Sequence, residues 1–282
     1  MAAGAQRCAR AVIEYDGTAF AGSQVQPNAR TVQGELEEAL NRLIGEETRV
    51  RLAGRTDAGV HATGQVVAFC WRRGARRTRS LPELLRRLNA ALPPDLAVRS
   101  LRPASRDFDP RRDARWRVYR YRVLMSGARR PMERHRTLEI DESLDIEAMR
   151  AAAARMLGER DFGALGADAR GRTVRHLAEV RITRRGELVE VRLTANAFLR
   201  RMVRSVVALL MEVGRGRLAP DAVDGILDVG ARALHGRSAP ARGLTLERVI
   251  YASAKKSNTN EPGASPTRVA RSNRNQGKPE SS

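Results

Sequence analysis

Residues 114–125, ARWRVYRYRVLM, alternate with the two-residue rhythm of an extended chain. Successive side chains of a strand point to opposite sides, so the segment reads as a long β-strand with Tyr119 and Tyr121 on one face. A strand leaves backbone N–H and C=O groups open along both edges, which commits the chain to a sheet. Further strand-like segments lie at 9–15, 48–53, 65–71, 176–183, 187–194 and 244–252, and the fourth and fifth flank a short turn at 184–187, as a hairpin would. Segments with helical spacing alternate with them. One begins near Thr31, an N-cap residue, places Val32, Leu36, Ala39, Leu40, Leu43 and Ile44 on one side, and ends at Gly45. Others start near Pro82, with Leu84, Leu85, Leu88 and Leu92 at helical spacing, and at 146–157, with Asp145 as cap and Gly158 as stop. Two more cover about 200–213 and the residues after Pro220. Hairpins interleaved with helices predict an α+β fold: a mixed, mainly antiparallel sheet with helices packed on one face. The expected organisation is two similar lobes, 1–130 and 131–253, flanking a basic cleft, with residues 254–282 as a disordered basic tail.

The charge balance narrows the partner. Lys and Arg number 52 against 32 Asp and Glu, a net +20, and only three of the basic residues are lysines, Lys255, Lys256 and Lys278. Codon bias explains a choice of arginine over lysine but not an excess of positive charge, so the surface points to a polyanion, with nucleic acid as first candidate. No apolar run approaches the roughly 18 residues of a spanning helix, and no secretory segment opens the sequence, so the expected location is cytoplasmic and a membrane partner is not expected. Cys8 and Cys70 are too few for a disulfide framework, and His61, His135, His176 and His235 are scattered without HExxH or CxxC spacing, so no metal is expected.

Between two of the strands, residues 54–64 gather Arg55, Thr56, Asp57 and His61 among three glycines. Such a loop lets backbone approach a ligand closely, although an Asp-Ala-Gly turn in an ordinary hairpin has the same composition. The length of the loop, the arginine two residues before the acid and the basic surroundings put a site and a plain turn on an even footing.

The segment LAGRTDAGVHATGQVVAF, residues 52–69, resembles the active-site segment of the tRNA pseudouridine synthase A family, TruA. Six further blocks fall in that family's order: IEYDGTAFAG (13–22), TVQGELEEAL (31–40), NAALPPDLAV (89–98), RVYRYRV (117–123), TANAFLRRMVRSVVALLMEVG (194–214) and GLTL (243–246). The resemblance implies an enzyme that breaks the ribose bond to uracil N1 in tRNA, turns the base and rejoins it through a carbon, with uridines 38 to 40 of the anticodon arm as targets. No cofactor is implied, and a homodimer is.

By motif position, Asp57 is the implied catalytic group, a nucleophile or base that must be ionised. Tyr119 is the implied active-site tyrosine, packed on the target uracil, although an aromatic in a strand core reads the same way. Arg204 is the implied partner of Asp57, where a charge-assisted pair would fix the carboxylate's orientation, while Arg200 and Arg201 read as solvated. Arg55 is the implied group that displaces the target base. The chain departs from the family pattern at Ser23, where many relatives carry tryptophan, at FDPR (108–111) and at Leu165 in place of an aromatic, which bears on tRNA docking. A noncatalytic tRNA-binding or chaperone-like protein with the same fold, or a synthase acting on another RNA, remains the alternative.

Overall fold

In a computed structural model of the chain, residues 6–72, 80–167, 171–229 and 238–252 are described. The expectations for the tail at 254–282 and for His235 lie outside them. Among the described residues, ten strands form one sheet: β1 (Gln6–Tyr15), β2 (Arg51–Leu52), β3 (His61–Arg72), β4 (Leu96–Pro103), β5 (Ala114–Met125), β6 (Leu138–Ile140), β7 (Gly158–Asp161), β8 (Val174–Arg185), β9 (Leu188–Ala195) and β10 (Leu244–Tyr251). Five α-helices accompany them: α1 (Val32–Ile44), α2 (Leu81–Ala91), α3 (Ile146–Arg155), α4 (Met202–Gly214) and α5 (Ala222–Val229). The strand order is β4-β1-β3-β10-β5-β9-β8-β7, with β2 added on β3 and β6 on β5. Every pairing is antiparallel except β10 with β3 and β6 with β5, so the sheet is mixed and mainly antiparallel, the expected α+β class. Among the described residues, no helix is long and apolar enough to cross a membrane.

Register shows which face is covered. Residues paired across adjacent strands share a face. Tyr15 lies opposite Ala62, Ala62 beside Leu246, Leu246 opposite Tyr119 and Tyr119 opposite Leu193, so one row crosses five strands. Every member of that row is buried in a single apolar core that also holds Val32, Leu36 and Leu40 of α1 and Met202, Val206 and Leu210 of α4. The opposite face of β5, β9 and β10 is polar: Arg120 pairs with Glu190 and Glu247, and Arg192 with Glu247. Helices therefore cover one face. Their ends are capped as the sequence requires, with Thr31 accepting from the Gly34 N–H at 3.2 Å and Asp145 from the Ala148 N–H at 2.9 Å.

The cysteine reading needs correction. Cys8 on β1 and Cys70 on β3 lie opposite each other in register and are joined by a disulfide. Two cysteines 62 residues apart give no local spacing signal; only the strand pairing brings them together.

Candidate active site

The loop from Ala53 to Val60 leads into β3 and lies over the covered face, between the two tyrosines that the register row separates by Ala62 and Leu246. Ala62 has the smaller side chain of the two. Above this row the Tyr15 hydroxyl meets Thr56 Oγ1 at 2.8 Å, and the Tyr119 hydroxyl lies under the start of the loop, 3.8 Å from where a Cβ on Gly54 would be.

Backbone anchors hold the loop on both sides of Asp57. The Ala53 N–H donates to the Val66 carbonyl at 2.8 Å, and the side-chain amide of Gln65 donates to the Gly54 carbonyl at 2.7 Å. Ser23 is fully buried and grips Thr56 twice: its N–H donates to the Thr56 carbonyl at 3.0 Å, and its Oγ accepts from the Thr56 N–H at 2.8 Å. After Asp57 the chain closes a turn, with the Val60 N–H donating to the Asp57 carbonyl at 3.2 Å. His61 then fixes the loop's far end, accepting from the Gly17 N–H at Nδ1 (3.0 Å) and approaching the Arg242 carbonyl with Nε2 (3.1 Å). Position 17 admits only glycine, because a Cβ there would come within 2.0 Å of the Val60 carbonyl oxygen. His61 is thus a buried strut and takes no part at the acid.

Asp57 projects from this frame with 35% of its side chain exposed, and Arg204, in the first turn of α4, reaches its Oδ2 with Nη1 at 3.3 Å. Arg204 is itself held, its Nε donating to the Ala239 carbonyl at 2.6 Å while its own carbonyl accepts from the Ala239 N–H at 3.0 Å. A 3.3 Å contact is longer than a full charge-assisted bond of about 2.7 to 2.9 Å, so it orients the carboxylate without saturating it. Arg200 and Arg201, by contrast, are exposed.

Tyr119 is 7% exposed, and its ring packs edge-on against Phe198 at 5.1 Å between centroids. Burial raises its pKa well above that of a free tyrosine, neighbouring Tyr15 and the charge of Asp57 add to the rise, and Arg117 opposes it. Among the described residues its hydroxyl makes no hydrogen bond. Arg55 stands apart, exposed, on a pocket of about 190 Å³ whose lining also includes Gln24, Arg51 and Arg111. The structure therefore pairs Asp57 with Arg204, sets the Tyr119 hydroxyl under the start of the same loop and leaves Arg55 on the neighbouring surface.

Sequence reading missed Ser23, Gln65, Tyr15 and Phe198 as parts of this frame. Ser23 carried a signal only as a departure from the family pattern, and its place is in the loop's support.

The sequence pattern of the tRNA pseudouridine synthase family matches residues 11–111 and 152–252. The chain belongs to the tRNA pseudouridine synthase family. Proteins called tRNA pseudouridine synthase A are similar to it over most of their length. That of Geotalea uraniireducens is 42% identical over 242 residues, covering 85% of this chain and 98% of its own. Those of Myxococcus xanthus and Chloroflexus aurantiacus are 42% and 43% identical, covering 90% and 87% of their own length. Asp57, Ser23 and Gly17 fall within the first matched stretch of this tRNA pseudouridine synthase family member and Arg204 within the second, while Tyr119 lies between the two.

Proposed function

We propose that this chain isomerises uridine to pseudouridine in the anticodon stem-loop of tRNA, at positions 38 to 40, with Asp57 as the nucleophile. The observation that carries this reading is the Asp57 carboxylate, raised on a loop anchored on both sides, oriented by Arg204 and near enough to Tyr119 for its charge to add to the rise in that phenol's pKa. The reaction breaks the bond from ribose to N1, and the freed base turns and rejoins the same ribose through a ring carbon, so no atom or electron is gained or lost. It needs a positioned acid-base and nucleophilic group, which this site has, and no cofactor or metal.

Tyr119 receives the uracil. Its phenol stays protonated at neutral pH and its hydroxyl has no competing partner among the described residues, so the tip of a largely buried ring offers one polar group at the edge of an apolar core. Phe198 backs that ring. Extruding a base costs a few kcal/mol, and Arg55, exposed two residues before Asp57, supplies the guanidinium that fills the gap left in the stack. The net +20 charge supplies backbone affinity for the folded tRNA. The same reading includes a homodimer, a cytoplasmic location, and lobes 1–130 and 131–253 as the two sides of the cleft.

Purified protein incubated with unmodified tRNA transcript, without added metal or cofactor, is expected to form pseudouridine at 38 to 40. Asp57→Asn is expected to bind the same transcript within about twofold and to form no product. Unchanged product formation by that variant would falsify the assignment of Asp57, absence of product with the wild-type protein would favour a noncatalytic binder, and product at other sites would redirect the reading to another RNA.

A further inference from the structure

Arg117 is 8% exposed and points to the same face of β5 as Tyr119, two residues on. Among the described residues no carboxylate lies within ion-pair distance of it. Its guanidinium donates only to backbone carbonyls: Nη1 to Ala114 (3.1 Å) and Asn196 (2.5 Å), Nη2 to Ala53 (3.4 Å) and Arg111. A buried cation balanced by carbonyl dipoles alone is an expensive way to join segments, since desolvating a charge costs several kcal/mol and neutral groups form comparable bonds. Burial lowers its pKa accordingly.

The four carbonyls are not scattered. Ala53 begins the loop that carries Asp57. Asn196 precedes Phe198, which packs on Tyr119, and opens the segment that leads to Arg204. Arg111 lines the pocket beside Arg55. Ala53 and Asn196 thus come from different parts of the chain, each in a segment that carries a component of the site, while Arg111 and Ala114 lie in the stretch that leads into β5 itself.

We infer that Arg117 is a positioning residue for the isomerisation, a single planar fork that sets the spacing between the Asp57 loop and the Phe198–Arg204 segment across the strand bearing Tyr119. The inference rests on the isomerase reading above. Arginine is required because its donors diverge in a fixed plane and reach four acceptors at once, whereas a lysine ammonium radiates three donors from one point and cannot span them. Proximity effects are steep: misplacing a reacting group by about 1 Å costs on the order of a hundredfold in rate.

The test compares wild-type protein with Arg117→Lys and Arg117→Met on the same tRNA transcript, at a temperature well below the melting point of each. Expected are tRNA dissociation constants within about twofold of wild type, and kcat lowered by roughly ten- to a hundredfold in both variants, because retaining the charge does not retain the spacing. Two folded variants with wild-type kcat would overturn the inference. So would full rescue by lysine, which would make the charge, and not the fork, the operative feature. Failure of both variants to fold would overturn it too, by making Arg117 a determinant of the fold alone. Wild-type protein that forms no pseudouridine would instead remove the isomerase reading on which the inference stands.

Discussion

Ser23 shows how one small side chain bears on the acid without touching it. It is fully buried, and its Oγ is the acceptor for the N–H of Thr56, the residue directly before Asp57. Removing that oxygen leaves a buried donor unsatisfied, at a cost of about 1 to 3 kcal/mol. Any relaxation that recovers part of this cost must rotate the Thr56 peptide, and Asp57 turns with it. Ser23→Ala is therefore expected to lower the melting temperature by several degrees and to reduce kcat at least severalfold with little change in tRNA affinity, as read by calorimetry, steady-state kinetics and a binding titration. Wild-type kcat in the alanine variant would show that Tyr15 and Gln65 hold the loop without help. Asp57, Tyr119 and Arg204 could be named as candidates from the sequence because each occupies a motif position, and the structure shows the contact between Asp57 and Arg204. Ser23, Gln65 and Arg117 were not, because they act by bonding to backbone groups of distant segments, and a carbonyl looks the same in every residue.

The placement of β10 decides how the two parts of the sheet join. It enters between β3 and β5, parallel to the first and antiparallel to the second; it pairs with β3 only at His61 and Ala62, and its ladder with β5 shifts register between Leu246 and Arg248. At that irregularity the backbones pass so closely that a Cβ on Gly64 would lie 2.1 Å from the Glu247 carbonyl oxygen. Gly64→Ala must push β10 away from β3, an overpacking expected to cost about 1 to 3 kcal/mol and to lower the melting temperature by roughly 2 to 12 °C. An unchanged melting curve would mean that the irregularity opens freely. Local signals found the elements that are amphipathic by themselves: α1 with its Thr31 cap, and β5 over its full length. They did not find β4, a half-exposed edge strand, or β7, whose GERD sequence has no apolar residue and becomes a strand only by pairing with β8. The expected strand at 48–53 shrinks to Arg51–Leu52, because the Thr48 and Val50 N–H groups donate to Asn41 and Glu37 of α1 instead of to a strand, and Ala53 opens the site loop.

The whole molecule titrates in an unusual way at high pH, and its composition isolates the cause. Of its 52 basic residues only three are lysines, so the other 49 are arginines that keep their charge beyond pH 12. Both cysteines are in the disulfide. That leaves four tyrosines, Tyr15, Tyr119, Tyr121 and Tyr251, as the main groups that can change charge between pH 10 and 12. Burial raises all four, Tyr15 to about 12 from the ordinary 10 and the others further. A raised tyrosine pKa means that the folded state holds the proton longer than the unfolded chain does. The stability these groups contribute is therefore complete below pH 10 and declines as pH climbs toward the folded values, at about 1.4 kcal/mol per pH unit for a group such as Tyr15. Native protein at pH 11 is expected to show almost no tyrosinate absorbance, and the absorbance should then rise together with the loss of circular dichroism as the sheet unfolds. Since Tyr15 and Tyr119 flank the Asp57 loop, that rise also reports the opening of the site. Tyrosinate appearing near pH 10 while the circular dichroism stays native would mean that the covered face admits water, and that the loop does not rest on two buried phenols.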